Sequence, residues 1–548
     1  MATIQKRTVK GIDYWALVES KRVNGKPRPV IIEYFGNTKK FVEKLLNERP
    51  ENMILKSYSH GDTHALLKIA DKLRIESILD SVFKNKIRNG IERSKSLLLI
   101  ALQRVCNPGS KNEFEDWCKT TTLPYEMDLN PQVLKSQHFW EQMSDITEAE
   151  LMIAEDMITE KILEKYDFNL EKIALDYTNY FSYISSMNNK CKLAQRGHNK
   201  QKRSDLKQYS MALITTKEMG LPICSHIYEG NTNDQTEFHQ YINLLKDRIP
   251  NYDPNAITLV FDGGGNNKKN FDEIETHYIC SFSLSSCKNL YEIDISEYNE
   301  VEVNHRAVKA YRCMQNIWGK ERECILTFSN ALYVGQLKEL NQNITESINE
   351  LKELNDKLNS KKSKISKNEE NIKERIEKIL QRPYTKEIIE TKLNVDEKRI
   401  TRNIEYTINE FQKDIIERKY FGKRLLITDR ADWSTTEIIQ TYRDQDHIEK
   451  IFRTSKDYEH FSIRPQYHYT DQKIRVHIFC CLLGLTLTTI LQKEVLSHGM
   501  RISKNQLLDK LSTIRRCWLR NKDSNKATNV LEEMDEVQCQ LWDIIQAL

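Results

Sequence analysis

The chain has 548 residues, too many for one hydrophobic core, so several domains are expected. Charged residues make up 30% and hydrophobic residues 39%, the balance of a soluble globular protein; a net charge of only +4 excludes polyanion binding by bulk charge alone. Twelve scattered cysteines without a C-x-x-C pair exclude a zinc ribbon and a disulfide framework.

Charge is nonetheless unevenly distributed. Residues 1–50 carry eleven Lys/Arg against five Asp/Glu, residues 186–210 seven against Asp205 alone, and residues 501–526 eight against Asp509 and Asp523. Local basic patches on a balanced chain suit a polyanionic partner. Residues 1–36 alternate apolar and polar positions around the turn Asn24-Gly25-Lys26-Pro27, which predicts a small β meander in a domain spanning 1–60. From about 62 the apolar spacing becomes three and four, predicting a helical domain over 61–165, interrupted at Pro108-Gly109-Ser110, with a new helix from Lys111.

From 170 the period changes again. KIALDYTNYFSYI is apolar on both faces up to Asp176, SMALITTKEMGLPICSHIYEG reads as two strands, TEFHQYINLLKDRI as a helix, and AITLVFDGGG as a buried strand ending at Asp262. KKNFDEIETH and YICSFSL add a helix and a strand. The order β-β-β-α-β-α-β matches an α/β ribonuclease H-like mixed sheet, with its first part over 166–300. A heptad of Leu337, Ile344, Leu351, Leu358, Ile365, Ile372 and Ile379 predicts a long helical arm within an insertion over 301–425; Pro383 marks its turn and a helix over 386–418 returns. A second core segment covers 426–495: a strand, then one helix over 434–457 with Ser434 or Thr435 as N-cap, then an apolar run from Ile474 to Leu491. That run contains Arg475 and His477 and reads as a buried helix, not a membrane span. A helical tail is expected over 496–548. The start, MATIQKRTVKG, is polar and unlike a signal peptide, so a cytoplasmic protein is expected.

Carboxylates at the ends of buried strands are unusual, because an unpaired buried charge is costly. Asp176 and Asp262 occupy such places, although turn-forming or capping aspartates would look the same. The helix over 434–457 offers Glu437, Asp444, Asp446, Glu449 and Asp457. On a continuous helix Tyr442, Glu449, Arg453 and Lys456 share one face; that face is either a ligand-bearing surface or a solvated salt-bridge stripe.

These residues resemble a known family. Tyr442, Glu449 and Lys456 fit the spacing Y-x2-R-x3-E-x6-K, the Y-R-E-K signature of a large group of DDE transposases from bacterial insertion sequences. LDYTNYF around Asp176, FDGGGN around Asp262, CNPGSKNEFEDW at 106–117 and the stretch 196–234 ending in Gly230, Asn231 and Asp234 are similar to the same group. The signature arginine is replaced here by Gln445, and Asn199 stands where a serine is frequent.

The resemblance implies metal-dependent DNA cleavage and strand transfer. Asp176, Asp262 and Glu449 would be the catalytic trio and would hold two Mg²⁺, with Mn²⁺ able to substitute. Tyr442, Gln445, Arg453, Lys456, Asn266, Lys200, Lys202 and Arg203 would contact DNA. The implied partners are double-stranded DNA, both terminal inverted repeats and target, and a second copy of the chain in a synaptic homodimer; no membrane is involved. The alternatives are a nuclease of the same fold without strand transfer, and a domesticated DNA-binding protein without catalysis.

Overall fold

The computed structural model describes residues 2–23, 26–47, 53–83, 87–185, 187–199, 201, 203–249, 252–360, 363–456, 460–464, 466–521 and 527–548. Asn24 and Gly25 of the expected turn, Lys200, Lys202 and Asp457 lie outside the described residues. The chain forms two compact units: one of Met1–Lys165, Tyr183–Lys192 and Arg453–Leu548, the other of Tyr166–Ser182 and Leu193–Phe452.

The first unit opens with the expected meander. Strands β1 (Ala2–Val9), β2 (Ile12–Val23) and β3 (Lys26–Asn37) pair antiparallel in sequence order. Helix α1 (Thr38–Asn47) packs on it through Phe41, stacked on Trp15 at 5.3 Å. Strand β4 (Met53–Ser59) belongs to another sheet. The helical region follows: α2 (Gly61–Lys72), α3 (Ile75–Phe83), the small hairpin of β5 (Ile87–Arg88) and β6 (Ile91–Glu92), then α4 (Arg93–Cys106), α5 (Phe114–Lys119), α6 (Leu123–Glu126), α7 (Ser136–Gln142) and α8 (Glu148–Lys165). The helix after Pro108 thus starts at Phe114 and not at Lys111.

The second unit is built on a mixed sheet. In chain order come β7 (Lys172–Ser182), β8 (Lys207–Thr216), β9 (Pro222–Glu229), α9 (Asp234–Arg248), β10 (Thr258–Phe261), α10 (Lys268–Glu273) and β11 (His277–Phe282). This is the element order read from the sequence. The strands lie in the order β9-β8-β7-β10-β11: β7, β8 and β9 are antiparallel neighbours, whereas β10 runs parallel to both β7 and β11.

The interval 301–425 departs from the expected helical insertion. Strands β12 (Asn299–Val303), β13 (Arg306–Ile317) and β14 (Lys320–Phe328) extend the main sheet to nine strands. Their apolar residues recur every second position, with Val308 and Ala310 buried, so the period is that of a strand. The arm proper begins with α11 (Asn330–Asn359) and resumes after a break with α12 (Glu369–Ile379) and the short α13 (Thr385–Ile388). No helix spans 386–418. That segment is a hairpin of β15 (Ile389–Val395) and β16 (Thr401–Ile408), followed by α14 (Glu410–Tyr420). Thr391, Val395, Thr401 and Ile404 are β-branched, and Asp396 shapes the turn by accepting from Ile400 N at 2.9 Å and Lys398 N at 3.0 Å. Ile344, Leu351, Leu358 and Ile372 of the heptad are buried in the arm's own core, with Ile388, Ile404, Ile416 and Phe421.

Strand β17 (Lys423–Thr428) returns to the main sheet between β11 and β14. The helix expected over 434–457 is two helices, α15 (Thr435–Arg443) and α16 (Asp446–Lys456), separated at Asp444-Gln445. Ser434 caps α15 by accepting from Glu437 N at 3.1 Å, as its sequence suggests.

The first unit is completed by α17 (Asp471–Ser497), α18 (Lys504–Ser512), β18 (Arg515–Asn521), β19 (Ala527–Leu531) and α19 (Glu536–Ala547). The C-terminal segment is therefore not all helical: β18 pairs with β19 on one side and with β4 on the other. Helix α17 is long and apolar enough to cross a bilayer, yet 89% of its most apolar stretch is buried, and it packs on α2, α4 and α8 of its own unit. Two of its polar residues find partners there: Arg475 pairs with Glu148 at 2.7 Å, and His477 Nε2 bonds the Ile463 carbonyl at 2.8 Å. Gly484 lets α17 approach α4 closely, since a Cβ there would stand 2.8 Å from the Ala101 carbonyl oxygen. This helix belongs with the first unit, not with the second core segment to which its sequence position suggested assigning it.

Candidate active site

Asp176 does not end its strand. Strand β7 continues to Ser182; its neighbour β10 stops at Phe261. The parallel register pairs Leu175 with Phe261, so Asp176 and Asp262 follow side by side on adjacent chains, where one strand ends and the other runs on. The opening left by β10 forms a cavity of about 530 Å³. Asp176, Tyr177, Thr178 and Asn179 of β7, Gln208 and Ser210 of β8, the loop residues His198 and Asn199, the segment Gly230–Asp234 and Asp262 line it.

Asp262 is held from three sides. Its Oδ1 accepts from Gly263 N at 2.8 Å, from the Ser281 hydroxyl on β11, and from the Tyr442 hydroxyl at 3.4 Å. Tyr442 lies on the buried face of α15 with Ile438 and Ile439, against Val260 and Ile279 of the sheet. Burial and the neighbouring Asp262 charge push the Tyr442 phenol up to about 12, so it keeps its proton and donates. Asp176 Oδ1 accepts from Tyr177 N at 2.7 Å. Asn266 holds the glycine turn to β11, its Nδ2 donating to the Ser281 carbonyl at 2.6 Å, which commits that nitrogen to the fold.

Gln445 explains the helix break. It is buried at the corner between α15 and α16, and its Nε2 donates to the Leu175 carbonyl at 3.3 Å, one residue before Asp176. Asp444 is fixed beside it by Gln440 at 2.6 Å and Lys217 at 2.7 Å. Because the helix turns a corner here, Tyr442 does not share a straight face with Glu449, Arg453 and Lys456. Ile448 and Phe452 form the buried side of α16, while Glu449 and Arg453 are exposed one turn apart and Lys456 is half-buried. Glu449 is not among the residues that line the cavity.

The loop before β8 reaches the cavity through a close backbone approach. A Cβ on Gly230 would fall 1.9 Å from the Gln208 carbonyl oxygen, and one on Gly197 would fall 2.0 Å from the Gly230 oxygen, so both positions require glycine. Gln208 ties the pieces together, donating to the carbonyls of His198 at 3.0 Å and Gly230 at 2.8 Å and accepting from Asn179 at 3.0 Å. Asn199 closes the loop on itself, with Arg203 N donating to its Oδ1 at 2.8 Å. Arg203 is exposed and engaged by Asp205 at 2.7 Å.

Sequence reasoning missed several groups. Ser281 bonds Asp262 beside the cavity without a distinguishing local motif. Arg424 of β17 lies over the Tyr442 ring at 5.8 Å, and burial together with the charges of Arg424 and Arg306 lowers the Arg443 guanidinium from its ordinary value. Three cations from β13, β17 and α15 are thus drawn together near the tyrosine that touches Asp262. Their separation along the chain concealed this grouping.

No family model matches the chain, and no curated protein matches it. Among solved structures, a piggyBac transposase in its synaptic complex with hairpin DNA is similar at a TM-score of 0.41 and 7% identity, over 82% of this chain and 79% of that one.

Proposed function

We propose that the chain is a transposase of the DDE type, with a ribonuclease H-like core, that cleaves DNA at the ends of a bacterial insertion sequence and joins the freed 3′-hydroxyl to target DNA. The observation that carries the reading is the placement of Asp176 and Asp262 side by side on parallel strands at the mouth of a polar cavity. The Y-R-E-K spacing and the strand order β9-β8-β7-β10-β11 add support. Glu449 is the third member by the signature.

The acids suit Mg²⁺, which takes hard oxygen donors and needs only a few carboxylates when phosphate and water supply the rest. Asp176, Asp262 and Glu449 would hold it, and the ion when bound would supply activation of the nucleophile and charge stabilisation at the leaving oxygen. The chain's own contribution is preorganisation. Ser281 and Tyr442 fix the Asp262 carboxylate, and Gln445 fixes the backbone next to Asp176. Arg306, Arg424 and Arg443 supply positive charge for the DNA backbone. Two DNA ends must be brought together, so a homodimer in the synaptic complex is part of the proposal.

The test is metal-dependent cleavage and strand transfer on DNA carrying the element's inverted repeats. Asp176→Asn, Asp262→Asn and Glu449→Gln should each abolish both while DNA binding survives. Full cleavage by the Asp176 or Asp262 variant would refute the site, and cleavage without joining by the wild type would make the protein a nuclease.

A further inference from the structure

The first unit contains a second group of potential metal ligands, unrelated to the cavity of the second. His60 is the N-cap residue of α2 and His64 follows one turn later, so the two imidazoles project from the same side of the helix start; their ring centroids are 4.6 Å apart. Glu126, the last residue of α6, is brought to them by the isolated bridge between Ser59 and Thr121 and by the bond from Thr122 N to the Ser59 carbonyl at 3.0 Å. The carboxylate lies between the rings: Oε1 is 3.2 Å from His60 Nδ1, and Oε2 bonds His64 Nδ1. One ligand atom from each of the three residues lies within 4.8 Å of the others.

The Thr122 hydroxyl donates its only proton to Glu126, so His60 Nδ1, 2.8 Å from that hydroxyl, faces it as an N–H. The Nε2 lone pair of His60 is then buried with no partner, in a residue 0% exposed. Trp542 packs across both rings, with centroids 5.2 and 5.3 Å away, as an apolar wall, and the Gln546 amide lies 3.4 Å from His64 Nε2. Asp71 and Arg516, one charge of each sign, also lie near the trio.

We propose that His60, His64 and Glu126 form a zinc site that joins the start of α2 to α6 beneath α19. Two histidines and one glutamate are a borderline-soft N/O set suited to Zn²⁺; tetrahedral bonds of about 2.0–2.1 Å place ligand atoms roughly 3.4 Å apart, and the three ligand atoms here lie within 4.8 Å of one another. Binding the ion through Nδ1 moves the His60 proton from Nδ1, where it faces Thr122, to Nε2. The Gln546 carbonyl oxygen, turned inward, accepts a hydrogen bond from His64 Nε2 and acts as an outer partner. Water fills the fourth position.

The test uses full-length protein stripped with a chelator and titrated with Zn²⁺ in excess Mg²⁺. One equivalent should bind, and unfolding should move to higher temperature. Glu126→Gln and His64→Gln should weaken binding by more than the ~10–100-fold typical of losing an outer partner. Asp176→Asn with Asp262→Asn should leave the stoichiometry unchanged. Replacement by Co²⁺ should give visible bands without a thiolate-to-cobalt charge-transfer band, which separates this site from the cysteines. Should either trio variant prove unfolded, the cobalt spectrum of the wild type decides. No zinc bound in excess Mg²⁺, zinc bound equally by folded trio variants, or a thiolate spectrum overturns the assignment.

Discussion

Gln445 Nε2 donates to the Leu175 carbonyl, 3.3 Å away, and so fastens the corner between α15 and α16 to the backbone that carries Asp176. The residue that departs from the Y-R-E-K signature has a structural partner in this fold. Its amide is neutral and buried, where a guanidinium would have to be desolvated. Gln445→Leu leaves the Leu175 carbonyl without this donor and should destabilise the protein by about 1–3 kcal/mol, measured by urea unfolding. An unchanged midpoint would show that the bond contributes nothing.

Asp176 and Asp262 follow one another across the β7–β10 register, and carboxylates placed side by side raise each other's cost of ionisation. Either change to asparagine should raise the metal-free melting temperature, by on the order of a few degrees. If Mg²⁺ binds there as proposed, it should stabilise the wild type and have little effect on either variant. Calorimetry with and without Mg²⁺ reads both effects, and an equal Mg²⁺ response in wild type and variants would show that the ion does not bind there.

Tyr442 contributes a pH dependence that can be isolated. Its folded value is raised from 10 to about 12 by burial and by Asp262, so the folded state holds this proton more tightly than the unfolded chain does. The contribution is complete below pH 10 and is lost as pH rises through about 12, amounting to roughly 2–3 kcal/mol. The unfolding free energy of the wild type should therefore fall more steeply over that window than that of Tyr442→Phe. Parallel curves would contradict the assignment. In the cleavage assay near neutrality, Tyr442→Phe should act through the lost bond to Asp262 and lower turnover without changing the shape of the pH profile.

Arg424, exposed like Arg306 and Arg443, is the member of the cation group that lies over the Tyr442 ring. If it neutralises one DNA phosphate, Arg424→Ala should weaken binding at low salt and reduce the slope of log K against log salt concentration by roughly 0.9. Titration of labelled duplex at several salt concentrations measures this. A parallel salt dependence would place Arg424 outside the DNA interface.

Much of this architecture is legible in the chain because local pattern and tertiary environment agree. Ile173, Ala174 and Leu175 are buried in β7, and Val260 and Phe261 in β10, so the runs that read as central strands are central strands. The arm misleads for a definite reason. The isoleucines at 400, 404 and 408 satisfy a four-residue helical spacing as readily as an alternation, and Thr401–Ile408 pairs with Ile389–Val395 as β16 and β15. The corner at Gln445 was hidden because its cause is a hydrogen bond to a strand 270 residues away in the chain.

Composition and periodicity by themselves determined the meander at the start, the helices over 61–165 and the alternation of strands and helices after 170, since each is a local consequence of where apolar side chains recur, and they marked Asp176 and Asp262 as candidates. Tertiary structure alone decided what surrounds those acids. It set the early end of β10 that opens a cavity beside β7, brought Ser281 and Tyr442 to one carboxylate oxygen, gathered arginines from three elements, and left Glu449 off the cavity lining. These depend on strand register and helix packing between segments far apart in sequence, and no local window of the chain contains both partners.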